Sequence, residues 1–315
     1  MRLTFGRRTD RNAARGIDVA ERTLFLQGQM AARGQAKDRR VNDLSEVEFR
    51  VYSQWGEDGI IEWLVGQLVV PNRRFVEFGV EDFREANCRF LLRHRGWKGL
   101  VMDGSERNME ALKADPVYWQ HDLTARAAFV TAENINGLIA DAGFAGPLGL
   151  LSIDVDGNDY WIWKAIDAVD AAIVSCEFNA VLGDRHALAI PYNPAFARRA
   201  AHTSGLYWGA SIAALRQLAE QKGYVFVGTN SAGMNAFFVK RDLAGPVRDK
   251  LVEAKAHPSR FRESRDDAGR LTFVGGRARL AAIGDMPVVD VATGATVRLR
   301  DLDRPYSDAW LSELS

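Results

Sequence analysis

Apolar runs alternate with amphipathic stretches along most of the chain. Residues 57–68 place Ile60, Ile61, Leu64 and Leu68 at helical spacing, which predicts a helix with one buried face. Strands are expected at 75–78, 99–102, within 126–130, at 148–155 and at 172–178. The run 148–155 is nearly continuous in apolar residues, as parallel strands buried on both faces are. Helices are expected between them at 84–95, 106–114, 133–141 and 161–166, and a further one at 211–222. Gly96 ends the first of these as a glycine just beyond a helix terminus. Segments 224–228 and 236–240 read as a closing pair of strands. This order predicts an α/β fold, a doubly wound Rossmann-like sheet over residues 46–242.

The flanks have a different texture. Residues 1–45 read as a basic, helical N-terminal arm. Within it, 17–32 fits an amphipathic helix with Val19, Leu24, Leu26 and Met30 on its apolar side, expected to serve as a docking helix or homo-oligomer arm. Residues 243–315 read as a β-rich appendage, with strand-like runs at 271–274, 288–291 and 295–299 and turn signals at Gly275-Gly276 and Thr293-Gly294. It would cover the active site or mediate assembly.

Composition narrows the class. At 315 residues and 47% hydrophobic content, the chain can bury a substantial core. Lys plus Arg equals Asp plus Glu, 41 each, so no global field favours nucleic acid or an anionic membrane. No apolar run is long enough to span a bilayer. Cys88 and Cys176 lie in apolar runs and read as buried free thiols, which suits a reducing cytoplasm.

Candidate chemistry starts at the first two strands. Phe75-Val76-Glu77-Phe78-Gly79 and Leu100-Val101-Met102-Asp103-Gly104-Ser105 each end in an acid and a glycine. Two carboxylates at the carboxyl ends of neighbouring parallel strands lie where open α/β sheets bind ligands. Such an acid can accept hydrogen bonds from a ribose diol. The dinucleotide pattern Gly-x-Gly-x-x-Gly is absent, because Glu81 stands where its second glycine would fall. Glu81, Asp82 and Glu85 would repel a pyrophosphate. A cationic, phosphate-free cofactor fits better, and S-adenosylmethionine has that chemistry.

Five segments together resemble the FkbM-type methyltransferases, a class I S-adenosylmethionine-dependent family. They are Ser53-Gln54-Trp55-Gly56-Glu57-Asp58, Phe75-Val76-Glu77-Phe78-Gly79, Asn87, Gly96-Trp97-Lys98-Gly99-Leu100 and Ile153-Asp154-Val155-Asp156-Gly157. The resemblance spans roughly residues 52–240. It implies that Gln54, Glu57, Asp58, Glu77, Gly79 and Asn87 hold the methionine end of the cofactor, and that Asp103, Gly104 and Ser105 hold the ribose. The family's Gly-Ala-x-x-Gly turn is here Gly79-Val80-Glu81-Asp82-Phe83, a departure that bears on whether the methyl donor still fits.

Asp154, Asp156, Asn158 and Asp159 cluster after the fourth strand and Glu177 and Asn179 end the fifth, a second constellation in which Asp154, Asp156, Glu177 and Asn179 are the expected metal ligands. Oxygen ligands from adjacent strand ends suit magnesium, calcium or manganese. The pattern is also similar in part to magnesium-dependent macrocin-type sugar O-methyltransferases, with asparagine in place of one acid in each half. Asp-rich turns also cap helices without any ion. His186, beyond the fifth strand, is the candidate general base, with Asp156 beside the reacting centre. The leading expectation is an O-methyltransferase acting on a sugar or other glycan hydroxyl, with magnesium assistance. Two rivals stand beside it: a metal-dependent hydrolase or transferase of nucleotide sugars, and a non-catalytic binding protein on a lapsed methyltransferase scaffold.

Overall fold

The computed structural model describes residues 4–35 and 39–314, with residues 4–18 described by their backbone alone. A long helix α1 (Thr4–Gly34) precedes α2 (Glu57–Gln67). Then come β1 (Arg74–Phe78), α3 (Arg89–Arg95), β2 (Lys98–Asp103), α4 (Glu106–Ala114) and β3 (Leu123–Ala127). The remaining strands are β4 (Gly146–Ile153), β5 (Val169–Glu177), the two-residue β6 (Leu188–Ala189), β7 (Tyr224–Thr229), β8 (Asn235–Lys240), β9 (Pro287–Asp290) and β10 (Thr296–Arg298).

Seven strands form one sheet in the order β3-β2-β1-β4-β5-β8-β7, and β8 runs antiparallel to both of its neighbours. β6 belongs to a different sheet. Setting it aside leaves the order 3-2-1-4-5-7-6 with one reversed strand, a Rossmann-like sheet of the class I methyltransferase type. The chain winds outward from β1 to β3 and then returns to β4 at the other side of β1. That reversal creates a switch point between β1 and β4.

The two-residue period of β1 sorts its side chains between the layers. Val76 and Phe78 join Leu151, Trp163 and Leu215 on one face. Phe75 joins Leu64, Leu92 and Leu150 on the other, against α2 and α3. Glu77 shares the Phe75 face and so points toward α3. Its carboxylate accepts hydrogen bonds from the Asn87 and Cys88 amides at 2.8 and 3.0 Å.

That contact explains one departure from expectation. The helix after β1 starts at Arg89, where the pattern placed it at 84. A helix begun at 84 would pair the Cys88 amide with the Arg84 carbonyl, and that amide is donated to Glu77 instead. β3 likewise falls earlier than 126–130, because Gly99–Asp103 pair in parallel with residues 123–127. Apolar Phe129 and Val130, which drew the prediction forward, lie beyond the strand end.

The C-terminal region is less β-rich than expected. Segment 271–274 is not a strand and contributes a single bridge between Arg265 and Leu271. Helices Arg277–Ala282 and Asp308–Leu314 accompany β9 and β10. β9 pairs with β10 on one side and with β6 on the other. The appendage thus borrows a strand from within 46–242, and Val288 and Leu299 pack against Leu182 and Leu188.

The face of α1 that packs is not the anticipated one. Phe25 lies 5.9 Å from the Phe90 ring and 6.4 Å from Tyr52, while Glu21 pairs with Arg93. Val19, Leu24, Leu26 and Met30 are exposed. Both cysteines are buried free thiols. Among the described residues no helix is long and apolar enough to cross a membrane.

Candidate functional site

A cavity of about 780 Å³ opens at the carboxyl ends of β1, β2, β4 and β5. Small-molecule sites are typically about 300–1,000 Å³. Its floor is the switch point. Gly79 has φ +78° and donates its amide to the Met102 carbonyl at 2.9 Å. A Cβ there would overlap the Asp154 carbonyl oxygen, so only glycine lets the β1 and β4 loops meet. Glu81 and Phe83 also adopt positive φ, strain that the surroundings must hold in place. Phe83 and Val80 are buried in the apolar layer beneath, and Arg89 fixes the turn by donating to the Phe83 carbonyl at 2.8 Å. Phe83 of the bulkier turn therefore points away from the cavity, while Val80 and Glu81 line it.

Asp103 ties two turns together. Its carboxylate accepts from the amides of Glu81 at 2.9 Å and Ser105 at 2.8 Å, and from the Asn108 side chain at 3.1 Å. Ser105 is set back from the cavity, and its hydroxyl caps α4. Gly104 lines the cavity beside Phe129, whose ring is 56% exposed. Glu77 lines it as well, and burial pushes this acid up to about 7 despite its two amide donors. Asn87 donates to Ser152 Oγ at 3.2 Å on the same wall.

The Ser-Gln-Trp-Gly-Glu-Asp segment divides its labour. Only Gln54 lines the cavity. Asp58 Oδ2 accepts from the amides of Val51, Tyr52 and Ser53 at 2.7 to 2.9 Å, and burial pushes it up to about 6. Glu57 Oε1 accepts from the side chains of Asn230 at 2.6 Å and Asn235 at 2.9 Å. Asn235 in turn lines the cavity, so Glu57 acts at one remove. Neither acid lines the cavity as expected: Glu57 is taken by amide donors, and Asp58 is buried beneath the 51–53 backbone that its Oδ2 binds.

At the ends of β4 and β5, carboxylate oxygens of Asp154, Asp159 and Glu177 lie within 4.8 Å of one another. Burial, and then the neighbouring charges within the trio, hold Asp154 and Glu177 well above the ordinary carboxylate range. Asp159 is pushed up to about 7, mainly by burial, although it accepts from the Val155 and Gly157 amides at 2.8 and 3.0 Å. Glu177 Oε2 and Asn158 Oδ1 are buried without a hydrogen-bond partner.

This trio replaces part of the expected metal set. Asp156, with φ +55°, turns outward and accepts from Arg198 Nη1 at 2.8 Å, where its side chain is 66% exposed. Asn179 is fully engaged, donating to the Leu206 and Trp208 carbonyls at 2.9 Å each and accepting from the Val181 amide at 3.0 Å. His186 is also displaced from its expected role. Its Nε2 lies 2.7 Å from the Asp303 carbonyl, outside the cavity, because the pairing of β6 with β9 carries it to the C-terminal region.

Sequence reasoning missed the far wall. Phe196 comes from the loop before the short helix Arg198–Ala201, Arg198 and Arg199 from that helix, and Phe261, Glu263 and Arg265 from the C-terminal region. These segments carry no period, and only the tertiary fold brings them over the sheet edge.

No protein-family model and no curated protein matches the chain. Among solved structures, the N-terminal domain of EvdMO1 in the presence of SAH and D-fucose aligns at 13% identity over 68% of this chain and 95% of that one, with TM-score 0.39. The same domain with SAH bound aligns at 12% identity over 67% and 94%, also with TM-score 0.39. An S-adenosylmethionine-dependent methyltransferase from Clostridium acetobutylicum aligns at 11% identity over 58% and 89%, with TM-score 0.36. The fold assignment stands on the strand order itself.

Proposed function

We propose that the chain is an S-adenosylmethionine-dependent O-methyltransferase acting on a hydroxyl of a sugar or polysaccharide precursor. One observation carries the reading: among the described residues, the switch-point cavity has an acid-lined end on β1 and β2 with no cationic side chain of its own. Every arginine in the cavity lining comes from residues 198–265 instead. A phosphate-bearing cofactor would be repelled at the acidic end, and a sulfonium with an ammonium would be favoured there. Asp103 would accept the ribose hydroxyls with its remaining lone pairs, and Phe129 would offer its exposed ring to the base. Glu77, Asn87 and Gln54 would face the methionine end, over the close approach that Gly79 permits. The bound donor would supply an electrophilic methyl group.

The chain's own part is positioning and proton handling. Glu177 and Asp154 replace His186 as candidates to take the acceptor hydroxyl's proton. A buried carboxylate with a raised pKa is a stronger base when ionised than an exposed one. The same trio, with the unpartnered oxygens of Asn158 and Glu177, is an all-oxygen donor set suited to magnesium. Such an ion would supply Lewis acidity toward a hydroxyl.

Calorimetric titration with S-adenosylhomocysteine tests the cofactor. Micromolar binding is expected, weakened about tenfold or more in Asp103→Ala by loss of charge-assisted hydrogen bonds. Unchanged affinity in that variant would count against the assignment. The metal is tested apart from turnover: magnesium should raise the melting temperature of the parent protein and leave Glu177→Gln unmoved.

A further inference from the structure

The cavity is electrically divided. Its β1–β2 end is acidic, while Arg198, Arg199 and Arg265 meet at the opposite wall. Two of these guanidiniums share a single carboxylate oxygen. Glu263 Oε1 lies 3.0 Å from Arg265 Nη2 and 3.7 Å from Arg199 Nη2. Arg265 is held by its Nη1 bond to the Gly269 carbonyl and by its amide bond to Ser204, both near 3 Å. Its Nε is buried with no acceptor. Arg198 is fixed as well, with Nε donating to the Gly205 carbonyl at 2.7 Å and its guanidinium 4.6 Å from the Trp208 ring centroid.

A neutral sugar needs none of this. Its hydroxyls are served by carboxylates and amides, which the cavity already has. Guanidiniums are chosen where carboxylate or phosphate must be gripped by a planar fork. A partly exposed glutamate bridging two of them, with the Nε–H of Arg265 buried and unpaired, occupies the position of an oxyanion, while Arg198 on the same wall is already paired with Asp156. We propose that the acceptor is anionic and that its oxyanion binds between Arg199 and Arg265, displacing Glu263. This rests on the methyltransferase reading for the word acceptor, while the anion site stands on its own geometry. The oxyanion has two sources in sugar chemistry, the carboxylate of a uronic acid or the diphosphate of a nucleotide sugar.

The test is calorimetry on the full chain, saturated with S-adenosylhomocysteine, using glucuronate, UDP-glucose and glucose as probes. At least one anionic probe is expected to bind about tenfold more tightly than glucose, the scale of one charge-assisted contact. Which of the two does so identifies the source. Arg199→Met, at an exposed side chain that should not disturb folding, is expected to abolish the preference. Glu263→Gln should tighten the anionic probe by removing its competitor. Equal affinity for charged and neutral probes, or a preference that survives in Arg199→Met, overturns the proposal. Titration of S-adenosylhomocysteine into the same proteins separates the two ideas. If it fails to bind while the anion preference and its loss in Arg199→Met persist, the methyltransferase reading falls and the anion site remains.

Discussion

At the scale of single residues, Gly79 is the position with least freedom. Its left-handed φ and the carbonyl of Asp154 together forbid a side chain. Gly79→Ala is expected to cost about 2–4 kcal/mol, combining backbone strain with a steric overlap that must push β1 and β4 apart. Urea denaturation would show it, and a loss below about 0.5 kcal/mol would mean that the loops can part freely. Asp103, Glu77 and Gly79 were legible in the sequence because each ends an apolar strand, and strand ends have a known place in this class of sheet. Asp159 was legible as a member of the acid cluster but not preferred over Asp156 as a ligand, since an acid at a helix start also serves as a cap, and it does bond to the Val155 and Gly157 amides. His186 misled because proximity to β5 in sequence says nothing about the β6–β9 pairing that carries it away.

Among the elements, those whose apolar pattern is strong fell where expected: α2, β1, β2 and the helix Ile212–Gln221. The edge strand β3, with half-buried Thr124 and Arg126, carried a weaker signal and was misplaced. Helix α1 is a helix as its pattern predicts, and within the chain it docks through a face other than its apolar stripe. Val19, Leu24, Leu26 and Met30 are exposed, while Phe25 with its ring partners and the Glu21–Arg93 pair dock the helix. Phe25→Ala should therefore destabilise the chain by about 3 kcal/mol, as burial of an aromatic ring is lost. Leu26→Ser should change stability by less than about 0.5 kcal/mol. The reverse order in thermal melts would show that the exposed stripe is the packed face.

The molecule as a whole concentrates buried acids at one sheet edge. Glu77 and Asp159 sit near 7, with Asp154 and Glu177 also raised. Each binds its proton more tightly in the folded chain than in the unfolded one. Stability should therefore fall as pH rises from about 4.5, with the share of Glu77 and Asp159 lost through about 7 and that of Asp154 and Glu177 adding to the same downward slope. Differential scanning fluorimetry across that range should show the melting temperature declining, and a flat profile in Glu177→Gln relative to its parent would locate much of the effect in the trio. A profile that climbs toward pH 8 would contradict the assigned burial. The cavity wall has a further consequence, in the order of synthesis. The sheet is complete once β8 (Asn235–Lys240) has emerged from the ribosome, whereas Phe261, Glu263 and Arg265 follow later. A nascent chain halted between these points would carry the acid-lined cleft with Arg198 and Arg199 in place but without Arg265 and Glu263, a two-sided groove that still lacks its last wall.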